Sequence, residues 1–180
     1  TSLSCTLCLF HEGIVAGTGL SSERLAYAIK KLVPDEARRS ELIHVIQEGR
    51  VPELQGNERA AAELFQSEMA EAGDYAKKAG VLDHMIDDGS YVTQLWKDGE
   101  KAKNYYSSVS GTSRFAEDRL IPSYKKGMEQ GLVPQTLDLA EIASIYGKSI
   151  GKTIANKRLL ENIKGGELPD GLPMIAKQSE

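Results

Sequence analysis

The chain has 180 residues, 41% of them hydrophobic and 27% charged, with a formal charge of -4. That length carries one domain, with or without an appended segment, on a core that needs no staples, and that composition rules out wholesale disorder. The negative charge argues against a general electrostatic grip on DNA or on an anionic membrane, so nucleic acid is not the expected partner, and no apolar run is long enough to be a transmembrane segment.

Aromatic residues are sparse, with one Trp and three Phe, while Ala, Glu, Lys and Leu are plentiful. This balance favours helix over sheet. Thr1 to Val15 has an apolar centre from Leu7 to Phe10 but no basic stretch before it, so secretion by a signal peptide is not expected. The lack of an initiator Met reads as a processed product or a fragment of a longer chain. Cys5 and Cys8, followed by His11, make half a zinc site at most, because His44 and His84 are isolated and Leu9, not His, follows Cys8. On a helix over residues 2–16 the two thiols share a face with Glu12 and read as small buried groups, and two free thiols fit a reducing compartment. No metal and no cofactor follow from them.

Gly17-Thr18-Gly19 should end that first helix. Ser21 or Ser22 can cap a second, with Leu25, Ala28, Ile29 and Leu32 on one face. Pro34 restarts the chain, and a third helix follows with Asp35 and Glu36 at its positive end, Leu42, Ile43, Val45 and Ile46 inside, and Gly49 closing it. His44 lies in this helix and can point to either side. After a linker at Val51 to Gly56, Asn57 should cap a long helix over 58–79 that stops at Gly80. Asp87-Asp88-Gly89 is a turn signal. Tyr91 to Trp96 is the only β-favouring run, and with nothing to pair with it reads as an extended segment that anchors Trp96 in the core.

Residues 98–106 are polar and helix-compatible, residues 107–113 form a polar loop, and residues 115–120 allow one or two helical turns before Pro122. Ser123 should cap a short helix that ends at Gly131, and Thr136 should cap the last and longest one, over 137–163. In that helix Ile142, Tyr146, Ile150 and Ile154 form a bulky ridge at four-residue spacing. Ala143, Gly147, Gly151 and Ala155 form a parallel ridge of small residues beside it. Two glycines inside a helix cost roughly 1 kcal/mol each, a cost that close approach of another helix would offset. These eight residues are therefore the candidate helix-packing surface.

Candidates for chemistry are few. There is no nucleophile motif, P-loop or dinucleotide fingerprint, and Gly147 to Gly151 is embedded in helical periodicity with no strand before it. Asp87-Asp88 and Glu117-Asp118 are paired acids of the kind a glycosidase uses, but acids in turns are usually just solvated. Lys125-Lys126 and Lys157-Arg158 could touch phosphate, and solvated helix faces are the commoner explanation.

One pattern runs through the punctuation. Ala79-Gly80-Val81-Leu82 is followed by Tyr91-Val92-x-x-Leu95-Trp96, then Phe115 with Arg119, Ile121-Pro122-Ser123-Tyr124 and Gly127. Gly131-Leu132-x-Pro134-x-Thr136-x-Asp138, Tyr146, Ala155-Asn156 and Asp170-Gly171-x-Pro173 come after. In this order and spacing the motifs resemble a helical region of the large polyvalent proteins, or internal virion (ejection) proteins, of phages and prophages. The resemblance covers roughly residues 57–175.

It implies a non-enzymatic structural or interaction module, in the virion or the host cytoplasm. Its partners would be other domains of a longer chain or neighbouring virion subunits, with a second copy of itself as a further partner. Other readings stay open: a fragment of a phage enzyme such as a peptidoglycan hydrolase or nuclease, or a nucleic-acid-binding module working through Lys125, Lys126, Lys157 and Arg158. The expected fold is all-α: an irregular multi-helix bundle with a long C-terminal helix and a turn-rich tail. Its divisions would be an N-terminal helical segment over 1–56, a main helical domain over 57–165 and an extended tail over 166–180.

Overall fold

Each helix begins and ends where side-chain and backbone chemistry can satisfy its unpaired terminal groups, and those points set the architecture. The computed structural model describes residues 20–81, 92–98 and 123–165. Within them the fold is all-α: α1 Leu20–Leu32, α2 Glu36–Gln47, a 3-10 turn Val51–Glu53, α3 Gly56–Lys78, α4 Tyr124–Glu129 and the long α5 Leu139–Gly165. The first helix expected over 2–16, the turn at Asp87-Asp88-Gly89, the segments over 99–120 and the tail over 166–180 lie outside the described residues.

Pro34 breaks the chain after α1, and the Asp35 carboxylate caps α2 by accepting from the Ala37 N–H at 2.9 Å. At the end of α3, Gly80 takes φ +66°, and the N–H groups of Gly80 and Val81 turn back onto the carbonyls of Lys77 and Ala76. This left-handed close needs glycine and gives the helix a definite stop.

Three expected starts differ. Ser22 lies within α1 on its buried side, not at its cap. Gln55, not Asn57, precedes α3 in extended backbone, and it makes no side-chain cap bond, so Asn57 sits in the first turn. Before α5, the side chain that accepts the helix's own N–H, that of Ala140 at 2.8 Å, belongs to Asp138. Thr136 stands one step upstream, taking the Asp138 N–H at 3.0 Å and donating to Glu141 at 2.6 Å.

α1 and α5 form the central pair. Ser22 near the start of α1 meets Gly147 and Glu23 pairs with Lys148, while Arg39, whose Nη1 donates to the Val33 carbonyl just after α1, reaches Asp138 just before α5. The two helices therefore run in opposite directions. α3 packs against both, and α2 lies across the starts of α3 and α5. One buried cluster joins Leu25 and Ile29 of α1, Leu42, Ile43 and Ile46 of α2, Phe65 and Ala72 of α3, and Ile142, Tyr146 and Ile150 of α5. Residues on both sides of the expected division at 56 thus share a single core.

The extended run 92–97 comes alongside 133–135 through one antiparallel bridge, Trp96 to Pro134, with the Lys97 N–H on the Val133 carbonyl and the Gln135 N–H on the Leu95 carbonyl. Ser123 caps α4, accepting from the Lys126 N–H at 3.3 Å.

Candidate functional site

The bulky ridge of α5 faces the core: Ile142, Tyr146, Ile150 and Ile154 are all buried. Fully burying side chains of this size stabilises by roughly 1.5–3 kcal/mol each. The small ridge is graded. Ala143 is buried, Gly147 and Gly151 are half-buried and Ala155 is exposed. Against Gly147 lies the Ser22 side chain of α1, so close that a Cβ built on the glycine would collide with the Ser22 Cβ. Close approach is therefore realised where α1 crosses α5 at Gly147.

Beyond Ala155 the same four-residue row continues through Leu159 to Ile163. Leu159 is 58% exposed and Leu160 53%. On the helical wheel Leu159, Leu160 and Ile163 lie together, opposite the side that carries Lys157 and Arg158. Those two cations are turned inward. The Lys157 ammonium donates to the Gly80 carbonyl at the end of α3, where a cation also suits the helix dipole, and Arg158 stands 5.3 Å over the Tyr75 ring. Of the other expected basic spot, Lys126 pairs with Glu129 at 3.0 Å and Lys125 is exposed. The end of α5 is thus held to α3 on one side and presents an apolar face to water on the other.

Trp96 is half-buried at the edge of the core, its ring 5.1 Å from that of Tyr124 and tilted by 58°. Its buried indole Nε1 has no hydrogen-bond partner. The deeper residue is Tyr124, fully buried at the start of α4. Its hydroxyl accepts from the Leu95 N–H at 2.8 Å and donates to the Thr93 carbonyl at 3.2 Å, tying the extended run to α4.

Two buried charged sites were not among the sequence candidates for chemistry. The first is the Arg39–Asp138 pair. Arg39 Nε donates to Asp138 Oδ1 at 2.9 Å and Nη2 to Oδ2 at 2.6 Å, while Nη1 donates to the carbonyls of Val33 at 2.9 Å and Pro34 at 2.7 Å. Burial pushes the Asp138 carboxyl up, but the hydrogen bonds from Arg39 and from the Ala140 and Glu141 backbone, with the Arg39 charge, outweigh burial and hold it below its ordinary value. The hydrogen bond to Asp138 likewise raises Arg39. This pair locks the end of α1 and the starts of α2 and α5 together.

The second is Glu68 of α3, 6% exposed, on a flank with Leu64 and Tyr75. Burial, helped by the nearby negative charge of Glu71, raises its pKa to about 7. A carboxylate among apolar residues at i-4 and i+4 (Leu64 and Ala72) is the signal that could have found it.

His44 is half-buried on α2, and the paired acids at 87–88 and 117–118 lie outside the described residues. Among the described residues, no group of His, Cys, Asp or Glu side chains could hold a metal ion, and no helix is long and apolar enough to cross a membrane. Comparison with protein-family models, with curated proteins and with solved structures returned no match to this chain.

Proposed function

We propose that this chain is a non-enzymatic helical packing module of a phage or prophage virion-associated protein, working by contact with neighbouring domains or subunits. The order of its punctuation motifs supports the phage assignment. One observation carries the interaction role: the last three turns of α5 present Leu159 and Leu160 outward while Lys157 and Arg158 hold the opposite side to α3. A helix that buries an apolar face along its first turns and bares another along its last suits an element that joins its own core to something else. The test is co-expression with the products of neighbouring genes. Leu159→Ser with Leu160→Ser should lose co-purification at an unchanged melting temperature, because neither residue belongs to the buried cluster. Co-purification that survives the double substitution overturns the reading.

Glu68 favours a second reading, a fragment of a phage enzyme. A buried carboxyl whose pKa is pushed up to about 7 is the kind of group that serves as a general acid or base near neutrality. Turnover of peptidoglycan or DNA by the wild-type chain, abolished in Glu68→Gln, would establish that reading in place of the first.

A further inference from the structure

The outward face of α1 has a chemistry the packing role does not use. Arg24, Tyr27 and Lys31 follow one another at three- and four-residue spacing, directly opposite the buried Leu25, Ile29 and Val33. Tyr27 is 63% exposed, and the Lys31 ammonium stands 5.4 Å from the centre of its ring. Lys30 is exposed beside them. The other described arginines are occupied: Arg38 on Glu58 and Glu41, Arg39 on Asp138, Arg50 on Glu48 and Glu53, Arg59 on Glu63 and Arg158 over Tyr75. Arg24 alone among the described arginines has neither a carboxylate nor a ring. The one acid of α1, Glu23, is neutralised by Lys148 of α5 at 2.9 Å, and Lys152 is exposed one turn further along α5. A chain with a formal charge of -4 therefore keeps a cationic strip here, with an aromatic ring at its centre.

We propose that this face of α1 binds single-stranded nucleic acid, Tyr27 stacking on a base while Arg24, Lys30 and Lys31 meet backbone phosphates. Cations alone would suit any anionic polymer. The exposed ring between Arg24 and Lys31, which lie about 10 Å apart along the axis, selects a partner that alternates phosphates with planar groups. Paired bases in a duplex are stacked on one another and cannot use the ring.

The test is fluorescence anisotropy with a labelled oligothymidylate of about 20 nucleotides, titrated with the full chain at several salt concentrations. Three phosphate contacts predict a log–log salt slope of about -2, and Arg24→Gln should flatten it by about 0.7. Tyr27→Leu should weaken binding about tenfold while leaving the slope in place. Both positions are on the surface, so melting curves should match the wild type. The proposal is overturned by no binding at about 20 mM salt, by binding that ignores both substitutions, by a duplex of equal length binding as tightly, or by polyglutamate competing as well as unlabelled oligonucleotide.

Discussion

Replacing Asp138 with asparagine separates two roles that this one carboxylate combines. It accepts the Ala140 N–H at the start of α5 and it neutralises a guanidinium that is as buried as itself, the two side chains being 7% and 6% exposed. Asparagine caps a helix about as well as aspartate, so Asp138→Asn keeps the first role and removes the second. Arg39 then retains the carbonyls of Val33 and Pro34 and one amide oxygen, but its charge is uncompensated away from water. Breaking a buried pair in this way costs about 3–5 kcal/mol, and the surviving acceptors place Asp138→Asn near the lower end. Asp138→Ala should cost about 1 kcal/mol more, the value of the cap.

Urea unfolding followed by far-ultraviolet circular dichroism at pH 7 measures both. The acid limb gives an independent reading. The folded-state pKa of Asp138 lies below its ordinary value of 3.8, so its contribution is fully present above that value and is lost as pH falls through the folded pKa. Asp138→Asn should remove that part of the acid dependence. A cost below about 1 kcal/mol for Asp138→Asn, or equal costs for the two variants, would refute the division of labour.

Gly147→Ala tests the helix crossing. Alanine gains about 1 kcal/mol of helix propensity but must displace the Ser22 Cβ, which is fixed to its backbone, and overpacking of this kind costs about 1–3 kcal/mol. A net loss in urea midpoint is expected, and a gain would show that α1 and α5 separate freely. Tyr124→Phe removes the hydroxyl that the Leu95 N–H and the Thr93 carbonyl share, at a cost of about 1–3 kcal/mol, and hydrogen exchange at Leu95 should quicken. Unchanged exchange there would mean that Tyr124 does not hold the extended run. Glu68 should make stability fall as pH rises from about 4.5 to about 7, because across that window the folded state keeps a proton the unfolded chain has lost. Glu68→Gln should flatten that slope, by on the order of 1–3 kcal/mol once water near the half-buried Glu71 is allowed for, and parallel pH profiles would refute it.

Where one local interaction decides an element, the sequence was sufficient. Asp35 after Pro34, Ser123 before α4 and Gly80 after α3 act on groups two to five residues away, and the structure has them in those places. The start of α5 was less legible. Thr136 and Asp138 are both good capping residues, and what selects Asp138 is Arg39, brought in from ninety-nine residues away by the packing of α2. No periodicity encodes that meeting. Tyr124 illustrates the same limit: sequence reasoning puts the largest aromatic, Trp96, at the anchor, whereas the phenol hydroxyl reaches both backbone groups of the extended run and so takes the deeper place. At α3 the helix begins ahead of the best-looking cap, Asn57, because Gly56, at φ +54°, turns the chain into the helix from an extended Gln55.

The paired ridges of α5 were visible from their spacing, but spacing alone cannot say how far along the helix a neighbour extends. α1 crosses α5 at Gly147, where Ser22 lies against it, and the two helices run in opposite directions. Past that crossing the bulky ridge still meets the core at Ile150 and Ile154, so the helix continues, while the small ridge opens to water at Ala155 and is replaced by Leu159. A small-residue row that served only the α1 contact would have no need of an apolar residue there, and a polar one would solvate better. The switch from small to large apolar residues, at the point where the row becomes exposed, is what a helix would carry if a second surface packs against its last turns.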